Sequence, residues 1–184
     1  MHTYNNGVKM NDDCVLRKEN IINYHEPIEE LIVIEILKNS GCDTMVDVGC
    51  SYGYYLLLGA KYGYHVIGFE KQEKRSKRIP EQLVLNNVKN YVIYDKECTA
   101  KDINYLDTKG TFLMMDIQGA ETRILKNSNL SCYEHILVGT HNMGKVDTHK
   151  EIIQILKNAN YRIKCEIEPG KVNFQPDGIV WGVK

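Results

Sequence analysis

Along most of this 184-residue chain, apolar runs of four or five residues alternate with longer segments patterned as helices, and no other feature restricts the fold as much. Residues 44–48, 65–69, 91–94, 112–115, 135–138 and 161–164 read as strands. Residues 27–38, 54–62, 72–86, 120–125 and 152–159 read as the helices between them. Strands joined through helices require right-handed crossovers, which make a parallel sheet covered on both faces. The rhythm changes after Pro176-Asp177-Gly178, where residues 179–183 follow the preceding strand with no helix between and should return antiparallel to it. The first helix carries Pro27 at its start, Glu29 and Glu30 where acidic groups complement the positive end of the dipole, and Gly41 after its end.

The length suits one domain, which we take as residues 1–184, with 1–25 an N-terminal extension and 26–184 the α/β core. Apolar residues form 43% of the chain and charged residues 26%, the balance of an ordinary globular protein, so disorder is not expected. A formal net charge of -1 supplies no global field that would draw nucleic acid or an acidic membrane, leaving only local contacts to do so. The six cysteines lack the spacings of a zinc site, so no metal is expected. With no leader-like start and no apolar run of membrane-spanning length, the sequence reads as cytoplasmic, with reduced thiols.

Ligands of open parallel sheets bind beyond the carboxyl ends of the strands, and the first strand-to-helix turn holds the nucleoside cofactor. Here that turn is Asp47-Val48-Gly49-Cys50-Ser51-Tyr52-Gly53. A dinucleotide site wants G-x-G-x-x-G, but counting from Gly49 the second and third glycine places hold Ser51 and Tyr54, a poor cradle for a pyrophosphate. S-adenosylmethionine has no phosphate, and needs only backbone room that Gly49 and Gly53 can give. Its ribose diol calls for a carboxylate at the end of the second strand. Glu70 stands there, 23 residues after Asp47. Asp47, Gly49, Cys50, Ser51, Tyr52, Gly53, Glu70, Lys71, Asp95 and Asp116 are therefore the candidate cofactor contacts, with Tyr52 the one aromatic of its neighbourhood expected to touch the cofactor. The blander alternative makes the glycines a tight turn and Glu70 a solvated helix-start carboxylate. Two substitutions separate these readings: Glu70→Ala should weaken cofactor binding at an exposed strand end, and Gly49→Val should abolish it by filling space the methionyl group needs.

Asp116 ends the fourth strand where the transferred methyl would sit, and is the first candidate for orienting or deprotonating an acceptor. Glu121 and His141 are the other two, although Glu121 also fits a helix first turn and His141 a solvated loop. The run from Lys71 to Arg78 could touch RNA phosphates, or form the solvated face of a helix.

These motifs resemble the FkbM family of methyltransferases. The resemblance begins at His25-Glu26-Pro27, runs through Val46 to Tyr55 and Gly68-Phe69-Glu70, and resumes at Met115-Asp116-Ile117-Gln118-Gly119-Ala120-Glu121 on to Leu125. It continues at Ile136-Leu137-Val138 with His141, and ends near Tyr161. It implies a Rossmann-like class I methyltransferase fold: a mostly parallel seven-stranded sheet, an antiparallel last strand and helices on both faces. It also implies S-adenosylmethionine as donor and methyl transfer to oxygen, often a sugar or other small-molecule hydroxyl. The chain departs from the family at Gln118, where a glutamate is usual, and at Gly139, where an acidic residue is usual. Two other functions fit the same residues: an RNA methyltransferase, or a non-catalytic S-adenosylmethionine-binding protein.

Overall fold

The computed structural model describes residues 1–15, 25–106, 109–141, 147–171 and 177–184, so that Pro176, named above as part of a turn, lies outside the described residues. A short antiparallel hairpin, β1 (His2–Thr3) and β2 (Lys9–Met10), comes first. The main body then runs α1 (Pro27–Asn39), β3 (Thr44–Val48), α2 (Tyr54–Lys61), β4 (His65–Phe69), α3 (Glu73–Ser76), α4 (Ile79–Leu85) and β5 (Tyr91–Tyr94). It continues with α5 (Ala100–Tyr105), β6 (Thr111–Met115), α6 (Glu121–Lys126), β7 (Tyr133–Thr140), α7 (Thr148–Asn158), β8 (Arg162–Ile167) and β9 (Gly178–Val183).

Seven strands form one sheet in the order β5-β4-β3-β6-β7-β9-β8. β9 runs antiparallel to both its neighbours, as the missing helix before it required, while β3 to β7 pair in parallel. Successive side chains of a strand face opposite sides, and the core divides accordingly. Met45, Phe112 and Met114 pack with Val33, Ile36 and Leu37 of α1, with Leu56 and Leu57 of α2, and with Ile79 and Leu83 of α4. Val46, Val48, Leu113 and Met115 pack on the other face with Ile103 of α5, Ile124 of α6 and Ile152 and Leu156 of α7. The chain has a Rossmann-like α/β fold with helices on both faces.

Two elements differ from the sequence reading. Residues 72–86 form two short helices, α3 and α4, because Pro80 cannot donate to the preceding turn and instead sits in the first turn of α4. α5 was not expected; its signal is polar, a reciprocal capping box between Thr99 and Asp102, and only Ile103 of its residues is buried. The N-terminal hairpin also joins the body, since Tyr4, Val8, Met10 and Cys14 are buried in the core on the α1, α2 and α4 face. No described helix is long and apolar enough to cross a membrane.

Candidate functional site

The strand order reverses at β3, whose neighbours β4 and β6 are reached by crossovers in opposite directions. That leaves a crevice at the carboxyl ends, the place where α/β sheets bind ligands. A cavity of about 380 Å³ lies there, within the range of ligand sites. Its lining includes Asp47, Gly49, Cys50, Ser51, Tyr52, Glu70, Lys71 and Asp116, eight of the residues expected to touch cofactor. Gly53 and Asp95 are not part of the lining; Asp95 accepts a 2.7 Å bond from the Ser76 hydroxyl.

The turn after β3 is closed on itself. The Gly49 and Cys50 amides donate to the Phe69 carbonyl, at 2.8 and 3.1 Å, the Ser51 amide to Glu70 Oε2 at 2.9 Å, and the Gly53 amide to the Cys50 carbonyl at 2.7 Å. These four donors are spent within the protein, so the turn does not offer them to a pyrophosphate. Gly49 has φ +90°, and a Cβ placed on it would stand 2.1 Å from the Asp116 carbonyl oxygen. The room beside it is thus taken by the end of β6 and not by the methionyl group, which corrects the reason given above for its being glycine. A Cβ at Gly53 would likewise press on Ile79, at 3.1 Å.

Glu70 follows β4 and is 5% exposed. Its Oε1 accepts from the Gln72 amide at 2.7 Å and its Oε2 from Ser51, fixing the carboxylate at the cavity wall. The strand end is buried, so Glu70→Ala would release two backbone donors as well as any ligand bond. Phe69 and Tyr94 stack with ring centroids 4.7 Å apart, and Lys96 lies 5.8 and 5.5 Å from their centroids. Arg75 stands 5.8 Å from the Tyr52 ring centroid. This β4–β5 side of the cavity is aromatic and basic.

The β3–β6–β7 side is acidic. Asp47 is 3% exposed and its Oδ2 has no hydrogen-bond partner. Burial, then the charges of Asp116, Glu70 and Glu26, push its carboxyl well above the usual range. Asp116 Oδ1 bonds His141 Nε2 at 2.7 Å, and His141 Nδ1 meets Asp177 Oδ1 at 3.0 Å. The Asp116 hydrogen bond, opposed by burial and helped by the charges of Asp116, Asp177 and Glu121, raises the His141 pKa to about 9. A ring donating from both nitrogens to carboxylates is an imidazolium, so His141 holds a proton here instead of accepting one. At Gly139 a Cβ would stand 3.0 Å from Asp116 Cγ. Any side chain at this position would press on Asp116.

Asp116, Glu121 and His141 come together, one ligand-type atom of each lying within 4.8 Å of the others. Glu121, however, is 1% exposed and outside the cavity lining. Its two oxygens accept from the Ile117 and Gly119 amides at 3.0 and 2.8 Å, holding a loop in which Gln118 has φ 57°. Its oxygens are already occupied in shaping that loop. The run from Lys71 to Arg78 is partly neutralised, since Lys77 pairs with Glu73 and Arg78 with Asp13 and Glu81.

Residues outside the expected set also line the cavity: His25, Glu26, Tyr54, Tyr55 and Asp177. Tyr52 is therefore not the sole aromatic of its turn at the site. Asp177 comes to the site through the topology, because β9 runs antiparallel beside β7 and so begins where β7 ends, next to His141.

No protein-family model matches the sequence, and no curated protein matches it significantly. Solved structures do match in shape. Magnesium protoporphyrin IX methyltransferase from Synechocystis PCC 6803 with bound SAM superposes with a TM-score of 0.63 at 14% identity, covering 90% of this chain and 86% of that one. Precorrin-6y C5,15-methyltransferase from Geobacter metallireducens GS-15 gives 0.63 at 14% identity, covering 94% and 95%. A putative rRNA-methylase from Clostridium thermocellum gives 0.62 at 14%, covering 85% and 96%. The fold is that of the class I methyltransferases. At these identities the likeness defines the architecture and leaves the acceptor open, since these three proteins are named for different substrates.

Proposed function

We propose that this chain is an S-adenosylmethionine-dependent methyltransferase of the FkbM type, acting in the cytoplasm on the oxygen of a small-molecule or sugar hydroxyl. One observation carries the reading: the crevice at the carboxyl ends of β3 and β4 is walled by two buried carboxylates, Asp47 with an unpartnered oxygen and Glu70 at the strand end, with no cradle for phosphate. That donor set fits a ligand offering a ribose diol and an ammonium. Several neighbours of this fold, including one solved with SAM, are methyltransferases.

S-adenosylmethionine supplies a methyl group already activated by its sulfonium. Glu70 would accept from the ribose hydroxyls, and Asp47 would face the methionyl ammonium. Phe69, Tyr52 and Cys98 would wall the adenosine. Asp116, held by His141, fixes the approach of the acceptor and takes its proton. Orientation supplies most of the rate, because positioning two reactants is worth on the order of 7 to 11 kcal/mol. The sulfonium is already activated, so a base adds only the further removal of the acceptor proton.

The RNA alternative draws on the basic run after Glu70, which is spent in part on Glu73, Asp13 and Glu81. Calorimetry with S-adenosylmethionine, followed by transfer of a labelled methyl group to fractionated small molecules and to RNA, tests the reading. Binding with label in a small-molecule fraction is expected. A folded protein that shows no binding at millimolar S-adenosylmethionine overturns it.

A further inference from the structure

The two outer strands of the sheet, β5 and β8, are built differently. An edge strand presents backbone N–H and C=O groups to any chain that can add a strand, and natural edges are blunted with charged side chains and bulges. β8 has both. Arg162, Lys164 and Glu166 are exposed along it, and a bulge between Ile163 and Cys165 interrupts its pairing with β9. β5 has neither. Tyr91, Val92, Ile93 and Tyr94 are uncharged, of the β-branched and aromatic types that favour strands, and they pair with β4 without a register shift. Among the described strands β4 is the sole neighbour of β5, and Val92 is 37% exposed.

Hydrogen bonds to β4 fix which groups of β5 face outward. The Asn90 carbonyl accepts from the Val66 amide at 3.3 Å, and the Tyr94 carbonyl from the Glu70 amide at 3.1 Å. Backbone groups alternate along a strand between its two edges, so Val92 also faces β4, whereas Tyr91 and Ile93 point both N–H and C=O away from it. An antiparallel neighbour would meet those groups as hydrogen-bonded pairs, each exchanging two bonds. The flanks of β5 are self-complementary for that pairing. With a two-fold axis normal to the sheet at Val92, Tyr91 lies opposite Ile93 of a second copy, and the exposed Lys89 lies opposite its exposed Asp95. Asp95 holds the Ser76 hydroxyl through Oδ1, which leaves Oδ2 to meet the lysine. An axis at Tyr91 would instead set Lys89 against Ile93, and an axis at Ile93 would set Tyr91 against Asp95. Both put a charge opposite an apolar or aromatic side chain, a poorer cross-strand pair than opposite charges.

We infer that β5 pairs antiparallel with β5 of a second copy of this chain, about a two-fold axis at Val92, joining the two seven-stranded sheets into one. A two-fold interface uses the same surface twice, and an uncharged strand with a lysine before it and an aspartate after it meets that requirement. Four residues make a small interface, so association is weak and depends on concentration. Antiparallel pairing turns the carboxyl ends of the two sheets to opposite sides, so each crevice stays with its own chain. Neither cofactor nor acceptor enters into this pairing.

Sedimentation equilibrium of the full chain from about 1 to 500 µM should show a mass rising from 21.2 kDa toward twice that value. Val92→Lys sets like charges together at the axis, and should keep the protein monomeric over the same range with a melting temperature near the parent's. In the parent, the Tyr91 and Ile93 amides should exchange hydrogen more slowly as the concentration rises. Two charge variants test the register. Lys89→Asp alone and Asp95→Lys alone each bring like charges opposite one another in their own dimers, and each should weaken association by about ten-fold. An equimolar mixture of the two should recover the parent's association, because each variant supplies the charge the other lacks.

A parent that stays at 21.2 kDa throughout overturns the inference and leaves the edge to a different partner. A dimer that survives Val92→Lys overturns it too, by placing the interface elsewhere on the molecule. A mixture that associates no more tightly than either charge variant overturns the pairing about Val92.

Discussion

His141 sits 10% exposed with a carboxylate on each ring nitrogen, and its proton belongs to the folded state. Its pKa is raised to about 9, so the resulting stabilisation is fully present below the ordinary histidine value near 6.5 and fades as the pH climbs through 9. Asp116→Asn removes the largest cause. The histidine midpoint, followed by NMR, should fall toward 6.5, with a loss of up to about 3 kcal/mol at pH 6 that shrinks by pH 9.5. A parent midpoint at or below 6.5 would refute the imidazolium bridge. Gly49 makes a second residue-level case: with φ +90° and Asp116 O lying 2.1 Å from any Cβ, Gly49→Ala should cost on the order of 3 kcal/mol or more. Urea denaturation measures this directly. A stable Gly49→Ala protein that has lost only ligand affinity would restore the cofactor-clearance explanation.

At the scale of elements, the loop between β6 and α6 depends on one carboxylate. Glu121→Ala would leave the half-buried Ile117 amide and the exposed Gly119 amide without their acceptor, at a cost of roughly 1 to 2 kcal/mol. Glu121→Gln keeps one acceptor and should cost less. If Glu121 were instead the reaction's base, both variants would lose turnover while melting like the parent. Elements with a dense apolar pattern were legible from sequence: β3, β4 and β5 fall where 44–48, 65–69 and 91–94 were read. The misses share a cause. α5 buries one side chain and the hairpin strands are two residues each, so hydrophobic period carries little information about them. The site was legible in part for a related reason. Strand ends announce Asp47, Glu70 and Asp116, but no local pattern reveals that Glu29 turns inward or that Asp177, 36 residues from His141, closes its other side.

Taken as a whole molecule, the sheet is completed out of sequence order. β8 pairs only with β9 among the described strands, and β9 lies between it and β7. As the chain leaves the ribosome, β3 to β7 can assemble while the far edge of β7 stays bare and β8 waits without a neighbour. His141, one residue past β7, would lack Asp177 throughout that interval. The geometry of this site is thereby tied to the arrival of residues 177–183, and a nascent chain cannot hold the charged histidine bridge early. Ending the chain at residue 176 should abolish cooperative unfolding, as read by circular dichroism and hydrogen exchange. Adding residues 177–184 back as a separate peptide should then restore protection along β7 and β8 together, since a single inserted strand supplies the hydrogen bonds of both.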